Sequence, residues 1–283
     1  MLPARNWTDM TWQEIAGADP GRWIAVLPLA AVEQHGPHLP LGVDSFIGEA
    51  YLARAEKLIP ADLAVTFLPL QRIGVSAEHL EFPGTLTLSP ATAIAAWTEL
   101  GDSVARAGVR KLVLVTSHGG NVAAMELVAR DLRARRGMLV VTVGWHRFGY
   151  PDGAFSGEEK KHGIHGGDIE TSLMCAARPD LVRMDKAPNA TPATIAMARE
   201  FKWLGAYRPA GFAWMTQDIN PTGAIGDATL ARADKGEAAF AKGAEAFVEL
   251  LREIDSFDLA RLRQGPLRQG PLRQGPLGET GKD

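Results

Sequence analysis

The sequence predicts an α/β fold with a mostly parallel central sheet, and three observations carry that reading. Short apolar runs of strand length alternate with segments that repeat at the helical period. Residues 111–116, 122–136 and 138–144 read as strand, helix and strand, a unit whose length implies parallel pairing through a right-handed crossover. Groups able to do chemistry gather just after the strands, where an α/β sheet places its sites. The chain has 283 residues with 46% hydrophobic content, enough for one large core, and nothing in it forces a second domain. We therefore expect a single domain over residues 1–262.

The elements follow in order. Residues 23–30 are a buried strand. Residues 45–58 carry Phe46, Ala50, Leu52, Ala53 and Leu58 at mixed three-and-four spacing, which predicts an amphipathic helix over the sheet. Residues 63–70 are rich enough in β-branched and aromatic side chains for a second strand. A turn-rich stretch over 73–85 then stands where a site wall would. Ser89-Pro90 is a helix start, an N-cap hydroxyl followed by proline at the first helical position, with Gly108 ending the helix after Ala107. Lys111-Leu112-Val113-Leu114-Val115-Thr116 is the clearest strand. Asn121 is placed to cap the helix over 122–136, whose last turn is basic as the helix dipole prefers. After the strand over 138–144, residues 147–161 dissolve into Gly, Pro and charge, a loop of the kind that covers active sites. A helix starting near Gly166 runs to Ala177, residues 179–226 are irregular, and residues 228–254 form a final amphipathic helix. From Arg263 the chain repeats Arg-Gln-Gly-Pro-Leu three times, so residues 263–283 are expected to be a disordered tail.

Composition excludes several classes. The net charge of -3, from 30 basic and 33 acidic residues interspersed, gives no footprint for nucleic acid or an anionic membrane. Cys175, the single cysteine, rules out an intramolecular disulfide framework and fits a reducing compartment; its apolar neighbours suit a small buried side chain. No apolar run reaches membrane-spanning length and the first residues lack the order of a signal peptide, so a cytoplasmic location is expected.

Three clusters carry the chemistry. In Glu33-Gln34-His35-Gly36-Pro37-His38-Leu39-Pro40-Leu41-Gly42-Val43-Asp44, Glu33 and His35 are two apart, so on an extended backbone they point the same way and share one metal centre. Gly36, Pro37 and Pro40 make a stiff turn that brings Asp44 back toward them. Glu, His and Asp suit a divalent ion such as Zn, Mn or Fe. Ser117-His118-Gly119-Gly120-Asn121 places His118 between a strand end and a helix mouth, as a ligand would be placed, with glycines that admit close approach to the backbone. His162-Gly163-Ile164-His165-Gly166-Gly167-Asp168-Ile169-Glu170 supplies the third. Helix capping would explain Asp168 alone, but explains the grouping of His165, Asp168 and Glu170 less well.

These three blocks, with Gly74 to Thr85 as a fourth that includes Ser76, His79 and Phe82-Pro83-Gly84-Thr85, resemble the signature segments of the creatininase (creatinine amidohydrolase) family in their order. The resemblance implies a three-layer α/β/α fold, two adjacent divalent metals per subunit at the strand ends, a hexameric homo-oligomer, and hydrolysis of a carbon–nitrogen bond in a cyclic or simple amide. It implies that Glu33 and His118 hold one metal, His35 the other, that Asp44 bridges them, and that His165 handles protons. The family's acid two residues beyond the second-block histidine is replaced here by Gly120. A carboxylate must then come from elsewhere: Asp168 is the candidate ligand, with Glu170 as reserve or catalytic partner. The departure also argues against creatinine itself as substrate.

The mechanism that follows is attack of a metal-bound hydroxide on a carbonyl, with His165 protonating the departing group and the Gly119–Gly120 backbone holding the oxyanion. Ser76, His79, Gly119 and Trp145 are expected to shape the pocket for a small-molecule substrate. Two alternatives stay open: opening of a carbocyclic ketone by the same machinery, and a non-catalytic protein whose metal is structural. A single cysteine argues against the second, because structural zinc sites are usually Cys-rich.

Overall fold

The computed structural model describes residues 2–207 and 209–265. A short helix α1 (Trp12–Ala16), closed by a Thr11 and Glu14 capping box, precedes the first strand, β1 (Ile24–Leu29). Helix α2 (Val43–Leu58) leads to β2 (Val65–Phe67), and α3 (Pro90–Arg106) leads to β3 (Lys111–Thr116). Helix α4 (Val122–Arg136) returns the chain to β4 (Leu139–Gly144). The sheet order is β2-β1-β3-β4 with every pairing parallel, as strand and helix alternation requires.

Alternation along the central strands sorts side chains onto two faces. Ile24, Val26, Val113 and Val115 join Tyr51, Phe240, Phe247 and Leu251 in one apolar cluster, under α2, α6 (Asp168–Ala177) and α9 (Ala233–Ser256). Ala25, Leu27, Leu112 and Leu114 join Trp97, Val104, Met125 and Leu132 in the other, under α3 and α4. The result is a three-layer α/β/α sandwich. Its central strands are buried along their whole length, which is why they read as continuous apolar runs.

Several expected boundaries shift for physical reasons. Strand β2 keeps only residues 65–67 of the run over 63–70: Leu68 N still donates to Val26 O, but Pro69 has no N–H to continue the ladder, and pairing with β1 resumes only at Gln71, beside Leu29. The stretch over 147–161 is not wholly loop: Ser156 caps a short helix α5 (Gly157–His162) by accepting from Glu159 N at 2.9 Å. Residues 179–226 contain α7 (Ala193–Glu200) and α8 (Thr216–Ile219) with two-stranded ribbons pairing 189–190 with 226–227 and 204–205 with 210–211. The last helix starts at Ala233, preceded by a separate turn over Ala228–Leu230 in which Asp227 accepts from Thr229 N. Of the expected repeat tail, residues 266–283 lie outside the described residues. No described helix is long and apolar enough to cross a membrane.

Candidate metal centre

Strands β1 and β3 are neighbours and end level with each other, Leu29 beside Thr116, so Glu33 and His118 emerge side by side. Asn121 ties the exits together. It does not cap α4; its amide nitrogen donates to Ala30 O at 3.0 Å and Thr116 Oγ1 at 3.2 Å, and its amide oxygen accepts from Val75 N at 2.9 Å. That clamp fixes the loop carrying Ser76 and His79 against the His118 turn. Ser117 Oγ donates to Asp44 O at 2.7 Å and so draws in the start of α2. At Gly166 (φ +59) a side chain would stand 2.9 Å from His35 O, so only glycine lets the bend after His165 press onto the Glu33–His35 segment.

The convergence is tight. Glu33 Oε1 lies 3.2 Å from His118 Nδ1, 3.4 Å from His79 Nε2, 3.7 Å from His165 Nδ1 and 3.9 Å from His35 Nε2. His35 Nε2 also lies 3.8 Å from Asp44 Oδ2 and 3.7 Å from Glu170 Oε2. Glu33, His35, Asp44, His79, His118 and His165 are all buried, and the His35 and His165 rings stack with centroids 4.0 Å apart. Three sets of ligand atoms fall within 4.8 Å of one another: Glu33, His35 and Asp44; Glu33, His79 and His165; His35, His165 and Glu170. Glu33 Oε2, His35 Nε2 and Asp44 Oδ2 are buried with no hydrogen-bond partner in the protein. Buried polar atoms are ordinarily paired, so an orphan on each residue of one close ligand set fits a divalent cation.

The electrostatics agree. Burial opposes ionisation of Glu33, but His118, with His79 and His165, holds its carboxyl well below the usual range. Burial also works against His118, yet Glu33, then Asp44 and Glu78, push it up to about 10. Burial and then the Glu33 carboxylate push Asp44 well above its ordinary value. Burial and then His165 hold His35 well below its own and bring His79 down to about 3. Without a cation, the proton between His118 and Glu33 supplies the positive charge this cluster needs.

Of the residues expected here, Glu33, His35, Asp44, His79, His118, His165 and Glu170 come together. Asp168 does not. Its carboxylate accepts from Ser172 Oγ at 3.0 Å and from Lys235 Nζ at 2.6 Å, and Glu170 is the acid that faces His35. Two residues along a helix turn the side chain through roughly 200°, so the pair at 168 and 170 cannot both face the cluster. Trp145 is also elsewhere: it is buried in the core, stacked on Tyr51 at 4.4 Å and packed on Phe247. Ser76 is buried with an unpaired Oγ beside the centre's loop, and a side chain at Gly119 would meet nothing within 4 Å, which leaves that backbone open. The sequence reading missed Gln34 and Thr216, which hold His79, and the clamp made by Asn121. Position gives the only hint of Gln34, since it stands between two ligand candidates on the opposite side of an extended strand.

Comparison with known proteins follows this geometry. The family model for creatininase, described as creatinine amidohydrolase, matches residues 8–251. The mycofactocin precursor peptide peptidase of Mycobacterium ulcerans (strain Agy99) is 32% identical over 229 residues, covering 79% of this chain and 82% of its own. The creatinine amidohydrolase of Pseudomonas putida is 31% identical over 265 residues, covering 87% of this chain and 95% of its own. A solved manganese creatininase superposes with a TM-score of 0.70 at 27% identity, covering 89% of this chain and 99% of that one.

Proposed function

The chain belongs to the creatininase family of metal-dependent hydrolases, and from that premise we propose that it cleaves a carbon–nitrogen bond of a cyclic or simple amide. The observation that carries the proposal is that Glu33, His35 and Asp44, whose ligand atoms lie within 4.8 Å of one another, each bury a polar atom with no partner in the protein. Glu33 with His118, and His35 with Glu170, are the two ligand pairs, with Asp44 between them; Zn, Mn and Fe all suit that donor set. Two ions held there supply a water acidified to near neutrality and a Lewis acid for a carbonyl oxygen.

The protein's own groups do the rest. His165 Nε2 is held by Gln34 O, which leaves Nδ1 on the cluster side as the proton acceptor that later returns a proton to the departing nitrogen. The open backbone at Gly119 borders the space a substrate carbonyl would enter, and the unpaired Ser76 hydroxyl is available to hold a polar substituent. The match to a peptide peptidase supports widening the amide class to a peptide bond. Assembly into a homo-oligomer belongs to the same proposal, supported by the exposed Trp12 and Trp203.

A screen of cyclic amides, formamides, short peptides and cyclic ketones with Mn-, Zn- and Fe-loaded protein tests the reading. Amine release that stops on chelation and returns with metal is the expected result. Turnover confined to the ketones would overturn the amide assignment.

A further inference from the structure

Four imidazoles crowd Glu33, and the hydrogen bonds on their far sides decide what each presents to it. His35 Nδ1 lies 3.1 Å from Glu33 O, His118 Nε2 lies 2.8 Å from Val75 O, and His165 Nε2 bonds Gln34 O. A carbonyl can only accept, so each of these contacts fixes an N–H on the outer nitrogen. His35 Nε2 and His118 Nδ1 are then left with lone pairs for an ion, once it displaces the proton His118 shares with Glu33, and His165 Nδ1 with the lone pair that takes up a proton.

His79 is arranged the other way round. The Gln34 amide cannot be flipped, because Oε1 accepts from Gly36 N at 2.9 Å and Nε2 donates to Gly223 O at 3.0 Å. The second hydrogen on that nitrogen points at His79 Nδ1, 2.8 Å away, which must accept it. Thr216 Oγ1 lies 2.8 Å from the same ring nitrogen and 2.9 Å from Glu78 O; its single hydrogen can serve only one of them, and with Gln34 already donating to Nδ1 it turns to Nδ1 as a second donor. A neutral imidazole whose Nδ1 accepts carries its hydrogen on Nε2, and Nε2 is the atom 3.4 Å from Glu33 Oε1.

We propose that His79 serves this centre as an N–H donor and not as a metal ligand, with Gln34 as the positioning residue that sets its tautomer. The inference rests on the metal reading given above and deepens it. His79 engages Glu33 Oε1, so the carboxylate is held in one orientation with its other oxygen, Oε2, buried and unpaired. The division of labour is that of a ligating carboxylate fixed by a donor behind it. Although Glu33, His79 and His165 lie close enough to be taken for one ligand set, only two of the three then offer electron pairs.

The test uses zinc-loaded, full-length protein with 15N-labelled histidine. Long-range proton–nitrogen correlation spectra should show His79, assigned as the imidazole whose signals vanish in His79→Gln, protonated on Nε2 with a bare, uncoordinated Nδ1. His79→Gln should keep the wild-type number of zinc ions per chain, with affinity in chelator competition weakened by about tenfold, the low end for loss of a residue behind a ligand. His35→Ala should lose a full equivalent. Gln34→Glu, whose carboxylate can only accept, should switch His79 to the Nδ1–H tautomer and weaken zinc by a similar factor. Should that buried charge prevent folding, the wild-type spectrum and His79→Gln decide the matter. A full zinc equivalent lost in a folded His79→Gln, or a protonated Nδ1 on His79 in the wild type, overturns the proposal alone. A wild-type protein that binds no zinc, manganese or iron overturns the metal reading as well.

Discussion

Glu33 has His35, His79, His118 and His165 within 4 Å, so at the scale of single residues the centre is one carboxylate among imidazoles. His118→Ala removes both the lone pair and the positive partner that keeps Glu33 ionised. Metal analysis should show lost ions and assays lost turnover, while circular dichroism stays unchanged, because the ring is seated at a strand end outside both apolar clusters. Full metal content in that variant would remove His118 from the site. The acids on α6 separate by the same logic. Glu170→Gln should lower metal content. Asp168→Ala should leave it intact but cost about 1–3 kcal/mol in denaturant unfolding, since Lys235 Nζ and Ser172 Oγ each lose a partner. If Asp168→Ala stripped metal and Glu170→Gln did not, the two assignments would have to be exchanged. The sequence pointed to both acids and ranked Asp168 first, the reverse of the order in which they face His35. The choice depends on where α6 begins, and helix starts are legible only to within a residue or two.

At the scale of elements, β1, β3 and α4 were legible because each is a run with one period, apolar through the interior of the strands and basic in the last turn of the helix. Helix α5 was not, since its six residues carry no apolar face and owe their shape to the Ser156 cap. What α5 contributes is Glu159. It is buried, its Oε1 accepts from Ile169 N at the start of α6, and it is packed against Gly163, Gly167 and Gly226. Burial, opposed by the Ile169 hydrogen bond and reinforced by Asp168 and Glu170, pushes its carboxyl up to about 7. A folded-state value raised above the ordinary 4.5 means that the folded protein holds the proton more tightly than the unfolded chain does. Its stabilising effect is therefore complete below about pH 4.5 and is lost as pH rises through about 7, a swing on the order of 3 kcal/mol. Thermal melts of wild type against Glu159→Gln should show the wild type losing stability relative to the variant between those values. Parallel pH profiles would mean that Glu159 stays ionised in the fold. Such a group is invisible in the sequence, where Gly157-Glu158-Glu159-Lys160-Lys161 reads as a solvated run.

For the whole molecule, the question is whether the ions build the fold or only occupy it. The two large apolar clusters lie on opposite faces of the sheet, and both are built without any of the acids or imidazoles at the strand ends. Those polar groups can also neutralise one another in the absence of a cation, with a proton between His118 and Glu33 and burial favouring a second on Asp44. The apo protein should therefore keep its secondary structure and a cooperative melt. It should nonetheless melt lower, because an ion that binds the folded chain alone adds about 4 kcal/mol when its free concentration is a thousand times Kd. At roughly 2–4 °C per kcal/mol for a chain of this size, each site is worth on the order of 10 °C. Removing metal with a chelator and following circular dichroism and Tm separates three cases. A lower Tm with native ellipticity, reversed by added Zn or Mn, is the expected outcome. Collapse of the spectrum on chelation would make the centre a structural one, and a Tm indifferent to both chelator and metal would mean that the orphaned atoms of Glu33, His35 and Asp44 hold no ion at all.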